Sequence, residues 1–387
     1  MTEATLLEHA RVLTPFEELD ASVLIAGGQI VQIGGEPPAD LVPTRIDLAQ
    51  RWLAPGFIDL HVHGGGGAQF ASGSVEDCLR AARFHARHGT TALLATTVAA
   101  PRAPLRSAVA AIAEAARDDA GTGAAVLGCH LEGPFLSPHR CGAMNPAWMR
   151  PPDAAELREL IDAGHGYVKL IDVAPELPGA LELIDVMREH GVIAGVGHSD
   201  ATFRQASAAF DAGARHVIHL FNASRPFDHR EPGLVGAALT RGDVTCELIA
   251  DGHHVHAAAL RLAAKMKGSE GVALVTDAVE AAGMPDGSYR LGVTPIRVLA
   301  GRAVLAGHDV LAGSTLTMAA AVRRAVELIG IPVRDAVRMA TVTPAQVLGI
   351  EDRAGKIAPG YRADLVVLDE TLEPVATIRA GDWISES

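Results

Sequence analysis

Gly56-Phe-Ile-Asp-Leu-His-Val-His63 is a short apolar run that ends on two histidines one residue apart, and Gly64 to Gly67 follow at once. Alternate residues of a strand share a face, so His61 and His63 point the same way. The pattern recurs along the chain: a Val-, Ile- and Leu-rich run, a polar residue with chemical capability at its end, a Gly or Pro turn, then a helical stretch. Further runs of this kind occupy 90–98, 125–132, 168–176, 192–198, 216–222, 245–251 and 271–277. Helices are predicted over 75–88, 102–118, 153–163, 178–190, 202–212 and 256–267, while the sixth run leads into a loop ending Arg230-Glu-Pro-Gly233. Continuous apolar strands alternating with helices imply a parallel sheet covered on both faces. Eight such units over roughly 250 residues predict an α/β fold of the closed (β/α)8 TIM-type barrel kind, not an open doubly wound sheet.

The two ends follow another rhythm. Ser22-Val-Leu-Ile-Ala26, Gly27-Gly28 and Ile30-Val-Gln-Ile33 alternate strand and turn, as do Ala363-Asp-Leu-Val-Val-Leu368 and Thr377-Ile-Arg-Ala-Gly-Asp-Trp383. Neither end has the apolar area for a core of its own. Residues 1–54 and 356–387 are therefore expected to join as one small β-sandwich domain, with 55–355 as the barrel. Within the barrel, 284–310 reads as a β-rich insertion, followed by helices at 314–328 and 333–348.

Composition narrows the function. Of 387 residues, 49 % are apolar and 20 % charged, and the net charge is −13. So acidic a chain is a poor match for a nucleic-acid backbone. The four cysteines, Cys78, Cys129, Cys141 and Cys246, form no C-x-x-C pair, which argues against a disulfide framework or thiolate zinc site and fits a reducing cytosol. Glu3, Glu8, Glu17, Glu18 and Asp20 occupy the place of a basic signal-peptide start. No apolar run approaches the ~18 residues of a membrane span. A cytoplasmic enzyme without nucleic-acid or membrane partners is the expectation.

In barrels of this type, active sites form at the C-terminal ends of the strands. There this chain places His61 and His63, Glu132, His198, His219, His253 or His254, and Asp277. A single histidine in an apolar strand is more often a hydrogen-bonded core residue. Five strands ending in His, Glu or Asp are hard to explain by packing, and imidazoles with carboxylates around an open position are what a catalytic divalent cation requires. The Gly64–Gly67 run lacks the Lys and Ser/Thr of a phosphate-binding loop and reads as a flexible turn beside the metal. Cys141 reads as a plain small side chain.

Pro55-Gly-Phe-Ile-Asp-Leu-His-Val-His-Gly64 resembles the first-strand signature of the amidohydrolase superfamily. The series His130-Leu-Glu-Gly-Pro-Phe135, Gly197-His-Ser-Asp200, His219-Leu-Phe-Asn-Ala223, Arg230-Glu-Pro-Gly233, Ala250-Asp-Gly-His-His-Val255 and Val275-Thr-Asp-Ala278 resembles, in the same order, the N-acetylglucosamine-6-phosphate deacetylase family. That resemblance implies hydrolysis of the N-acetyl amide to D-glucosamine 6-phosphate and acetate by metal-activated water. It implies Glu132, His198 and His219 as principal ligands of a divalent metal (zinc, or iron, cobalt or manganese), and His61 and His63 as ligands in members that hold a second. Asp277 becomes the general base and then acid, and His254 the oxyanion stabiliser. Ala143, Asn222, Ala223, His254 and Arg230 become substrate contacts. Arg230 reaches a neighbouring subunit's site in the family, which implies a homodimer. Lys169 could suggest the carbamylated lysine of other amidohydrolases, but it lies early in its strand and Glu132 fills the carboxylate role. Two positions depart from the family pattern: Met144, where many relatives carry His, and Ser224, where Met is common. They bear on sugar preference and keep open another N-acyl amino sugar or a cyclic amide as substrate. A non-catalytic barrel should have lost a ligand or Asp277, and none is missing.

Overall fold

The structure, a computed structural model, describes residues 4–39 and 41–384. Glu3 and the outermost residues of both ends (1–3 and 385–387) lie outside them. Eight strands, Phe57–Val62, Thr90–Val98, Ala125–Glu132, Val168–Val173, Ile193–Val196, His216–Val217, Thr245–Ile249 and Val272–Val275, pair in parallel in sequence order. The eighth returns beside the first: the Asp277 amide donates to His61 O at 2.8 Å and the Thr276 hydroxyl to Asp59 at 2.5 Å. Burial pushes the Asp59 carboxyl up to about 7, against the hydrogen bonds from Thr276.

Helices Val75–Arg87, Arg102–Arg117, Ala154–Ala163, Ala180–Glu189, Phe203–Ala212, Gly233–Thr240, Ala257–Lys267 and Met318–Ile329 follow the strands. Ser74 and Asp153 cap two of them, and Thr202 with Gln205 forms a full capping box at a third. Helix Gly233–Thr240 begins where the expected loop ends and has no counterpart among the expected helices. Its residues Gly-Leu-Val-Gly-Ala-Ala-Leu are all buried, so no polar face marks a 3.6-residue period. The helix expected over 333–348 is two, Val333–Met339 and Val342–Val347, because Thr341 leaves helical geometry (φ −138°, ψ −76°).

The insertion is a three-stranded antiparallel sheet, Gly287–Leu291, Thr294–Leu299 and Arg302–Leu305. Its Leu291, Ile296 and Val298 pack with Val98, Leu136 and Met144 over the barrel mouth. The two chain ends meet in one eight-stranded sheet, where Leu365–Leu368 runs antiparallel to Trp52–Pro55. The sheet folds back on itself: Ile30 N donates to Tyr361 O and Ala363 N to Gly28 O, both at 2.9 Å. Leu7, Val12, Val23, Ile30, Leu53 and Leu365 fill the core so enclosed. Trp52, Ala54, Val366 and Leu368, on the other face, join the barrel's core. All four cysteines are free thiols. Among the described residues, no helix is long and apolar enough to cross a membrane.

Candidate active site

Glu132 closes the third barrel strand, and His198, His219 and Asp277 lie just beyond the fifth, sixth and eighth. The last three have left-handed backbones, with φ of 44°, 27° and 50°. Such conformations cost of order 1–3 kcal/mol each in a non-glycine residue and persist where the surroundings enforce them. They also explain why the sixth strand is regular only over His216–Val217 although an apolar run extends to 222: His219, Phe221 and Ala223 all have positive φ.

Four imidazoles converge on two carboxylates. His198 Nε2 and His219 Nε2 lie 3.0 and 2.9 Å from Glu132 Oε1, and 3.2 Å from one another. His63 Nε2 is 3.1 Å from Asp277 Oδ1 and 3.4 Å from Glu132 Oε2. His61 Nε2 stands 3.6 Å from Glu132 and 3.8 Å from Asp277, with no hydrogen-bond partner. Three of these rings use their other nitrogen on outlying acceptors. His198 Nδ1 donates to Arg140 O (2.7 Å), His61 Nδ1 to Glu247 (2.9 Å) and His63 Nδ1 to Thr96 O (3.3 Å). With Nδ1 so committed, each ring turns an Nε2 lone pair toward carboxylate oxygens, an arrangement that a cation satisfies. Glu132, His198 and His219 form one such group, and His61, His63 and Glu132 a second, each with ligand atoms within 4.8 Å of one another.

Burial and the facing charges together set how these groups ionise. Burial alone would raise the Glu132 carboxyl, but the neighbouring His61 imidazole and hydrogen bonds from His198 and His219 hold it well below the usual range. Burial alone would lower His219, but its bond to Glu132 lifts it to about 9. Asp277 is likewise kept below the ordinary carboxylate value by His63, against its burial.

Above these groups opens a cavity of about 300 Å³. Ala143, Met144, Asn222, Ala223 and His254 line it, so every expected substrate contact but one stands on its wall. His254 is fixed by Asp251, whose carboxylate takes its ring Nδ1 at 2.7 Å and its backbone N at 2.9 Å. Arg230 is the exception: it is exposed in the loop before Gly233 and does not line this chain's own cavity. Ser224 bonds Asn222 O and is off the wall. Lys169 binds Gly166 O at the start of its strand. The Gly64–Gly67 turn is tied down, in contrast to the flexible turn expected. Gly64 N, Gly66 N and Gly67 N donate to Ala278, Ala282 and Glu280 at 2.9 Å. A Cβ on Gly64 would meet Ala68 O at 2.2 Å, so only glycine fits.

The sequence reading passed over Glu247, His130, Asp172, Asp251 and Arg302. Arg302, from the inserted sheet, lines the cavity and is paired with Asp309 at 2.7 Å. His130 lies beneath His61 and bonds Asp172 at 2.7 Å. A charged residue inside a buried apolar strand, such as Glu247 in Thr-Cys-Glu-Leu-Ile, was the available signal.

Comparison with known proteins agrees with this geometry. The amidohydrolase family model matches residues 52–384. The chain is 41 % identical to an N-acetylgalactosamine-6-phosphate deacetylase of Escherichia coli O157:H7 over 95 % of both chains. It is 36 % identical to the N-acetylglucosamine-6-phosphate deacetylase of Bacillus subtilis, over 99 % of this chain and 97 % of that one. The fold superposes with a TM-score of 0.93 on a mutant N-acetyl-D-glucosamine-6-phosphate deacetylase from Mycobacterium smegmatis solved in complex with N-acetyl-D-glucosamine 6-phosphate. That protein is 43 % identical, and the match covers 99 % of this chain and all of the other. With its histidine-ringed barrel mouth and these relatives along nearly its whole length, the chain belongs to the amidohydrolase family, in the branch of the N-acetylglucosamine-6-phosphate deacetylases.

Proposed function

We propose that this chain hydrolyses the N-acetyl amide of N-acetyl-D-glucosamine 6-phosphate to D-glucosamine 6-phosphate and acetate. The observation that carries the reading is the convergence of four imidazole Nε2 atoms on Glu132 and Asp277 at the floor of a sugar-sized cavity. Glu132, His198 and His219 would hold the principal ion, and His61 and His63, sharing Glu132, a second, with zinc the best match to imidazole and carboxylate donors. A divalent cation there lowers the pKa of water from about 15.7 toward 7 and draws charge from the amide carbonyl.

The chain's own residues do the rest. Asp277, held anionic by His63, accepts the proton of the attacking water and returns it to the departing amine nitrogen, which must be protonated to leave. His254, braced by Asp251, faces the carbonyl oxygen where charge develops. Asn222 and Ala223 hold the sugar phosphate through backbone and amide groups, with Ala143 against the sugar. Arg230, exposed and not lining its own cavity, serves a second copy of the chain in a homodimer, its guanidinium binding two phosphate oxygens together. Residues 1–54 with 356–387 form the small domain and 55–355 the catalytic barrel, in a cytoplasmic enzyme of amino-sugar metabolism.

The test is acetate release by the metal-analysed protein from N-acetyl-D-glucosamine 6-phosphate, with the galactosamine epimer and unphosphorylated N-acetylglucosamine alongside. Turnover of the phosphorylated glucosamine derivative, abolished by a chelator and restored by a divalent ion, is expected. Equal turnover without the phosphate, or none by the metal-loaded protein, would overturn the assignment.

A further inference from the structure

Glu247 sits in the middle of the seventh barrel strand, fully buried, between Cys246 and Leu248. A carboxylate in that position is tolerated only when its lone pairs are used, and here they are. Oε1 accepts from His216 Nε2 at 2.8 Å. Oε2 accepts from His61 Nδ1 at 2.9 Å and from the backbone N–H of His219 at 3.1 Å. One oxygen therefore touches a ring from the His61/His63 position and the backbone of a residue from the Glu132/His198/His219 position. The other is anchored by a histidine that faces no ligand group.

We infer that Glu247 is the positioning residue of the metal centre: it sets the His61 tautomer that leaves Nε2 free for an ion, and it pins the left-handed backbone of His219. The inference rests on the reading of His61 and His219 as ligands. Three features carry it. His61 Nε2 is buried and without a hydrogen-bond partner, so the ring's only fixed bond is the one to Glu247. His219 Nδ1 is also without one, so beyond the Nε2 that faces Glu132 and His198 that ring is held through its backbone, whose N–H Glu247 receives. His216 holds Oε1 while His61 and the His219 backbone hold Oε2, so both carboxylate oxygens are committed to positioning contacts. Outlying carboxylates of this kind typically change metal affinity 10–100-fold when removed.

The experiment compares the wild-type protein, Glu247→Gln and His61→Ala by metal titration calorimetry and elemental analysis, with melting of the chelator-treated proteins as the folding control. Wild type should take up two ions per chain and His61→Ala one. Glu247→Gln should melt within a few degrees of wild type while binding its weaker ion roughly 10–100-fold less tightly. Wild-type affinities in a folded Glu247→Gln would overturn the role of Glu247 and leave the ligand reading intact. Equal ion counts for wild type and His61→Ala would overturn His61 as a ligand and the role of Glu247 with it. A second measurement needs no variant: two-bond ¹H–¹⁵N spectra of the zinc-loaded wild type should show His61 protonated at Nδ1, and an unprotonated Nδ1 would overturn the inference.

Discussion

The barrel mouth and the enclosed core of the terminal sheet are both assembled from distant parts of the chain, and both bury their side chains, yet they are opposite in kind. The sheet buries Leu7, Val12, Val23, Leu53, Leu365 and Ile378, an aliphatic cluster. The mouth buries His61, His63, Glu132, His198 and His219, the last two with backbones in strained conformations. Burial of apolar area is worth about 25 cal/mol per Å², whereas a buried charge gains only when its partners offset the lost hydration. The sheet should therefore supply stability, and the mouth should use some of it to hold chemistry ready.

The sharpest way to break that contrast is Asp277→Asn. The loss of a proton-transfer group should lower kcat about 10²–10⁴-fold, while the melting temperature of the metal-free protein does not fall. Near-normal kcat, or a large drop in melting temperature, would break it. The converse change is Leu53→Ala, which empties a fully buried site in the sheet. Denaturant titration should show a loss of about 2–5 kcal/mol, with kcat and KM at 25 °C unaltered; a kinetic defect would mean that the two regions are coupled.

The smallest effect refines the comparison at the mouth's margin. His85 is buried against Gly64 O at 2.9 Å, and burial pushes its pKa down to about 4. Its unfolded value is near 6.5. Between those values the unfolded chain binds a proton that the native one refuses, so stability falls as pH drops from about 6.5 to 4 and is unaffected by this group above 6.5. The full contribution is roughly 3 kcal/mol. Chemical denaturation at pH 7 and pH 4.5 should show the decline, and His85→Gln should flatten it.

Much of this was legible in one dimension because the strands carry their chemistry at their ends. His61-Val-His63, Glu132, His198, His219 and Asp277 each terminate an apolar run, and the barrel rule brings run ends together. What escaped had no periodic signature. Helix Gly233–Thr240 is apolar on every side, and the 64–67 turn looks free until Ala278, Glu280 and Ala282 arrive to bind it. Glu247 and Asp172 lie inside apolar strands, where a lone acid gives no hint of which histidine it meets on another strand. Arg302 reaches the cavity only because the inserted sheet lies over the mouth, a placement set by tertiary packing.

The left-handed backbones of His198, His219 and Asp277 bear on how the site could be redesigned. A β-branched residue at any of the three is opposed by its own main chain before its side chain meets anything. Only glycine, asparagine and aspartate enter that conformation readily, so most replacements there would distort the loop as well as change the side chain. Libraries aimed at new metals or leaving groups would gain more from Glu132, His61 and His63, which have no positive φ and whose side chains can be exchanged without re-forming the turns. Ease of change is thus unevenly distributed around one ring of side chains, and it follows the main chain more closely than the chemistry.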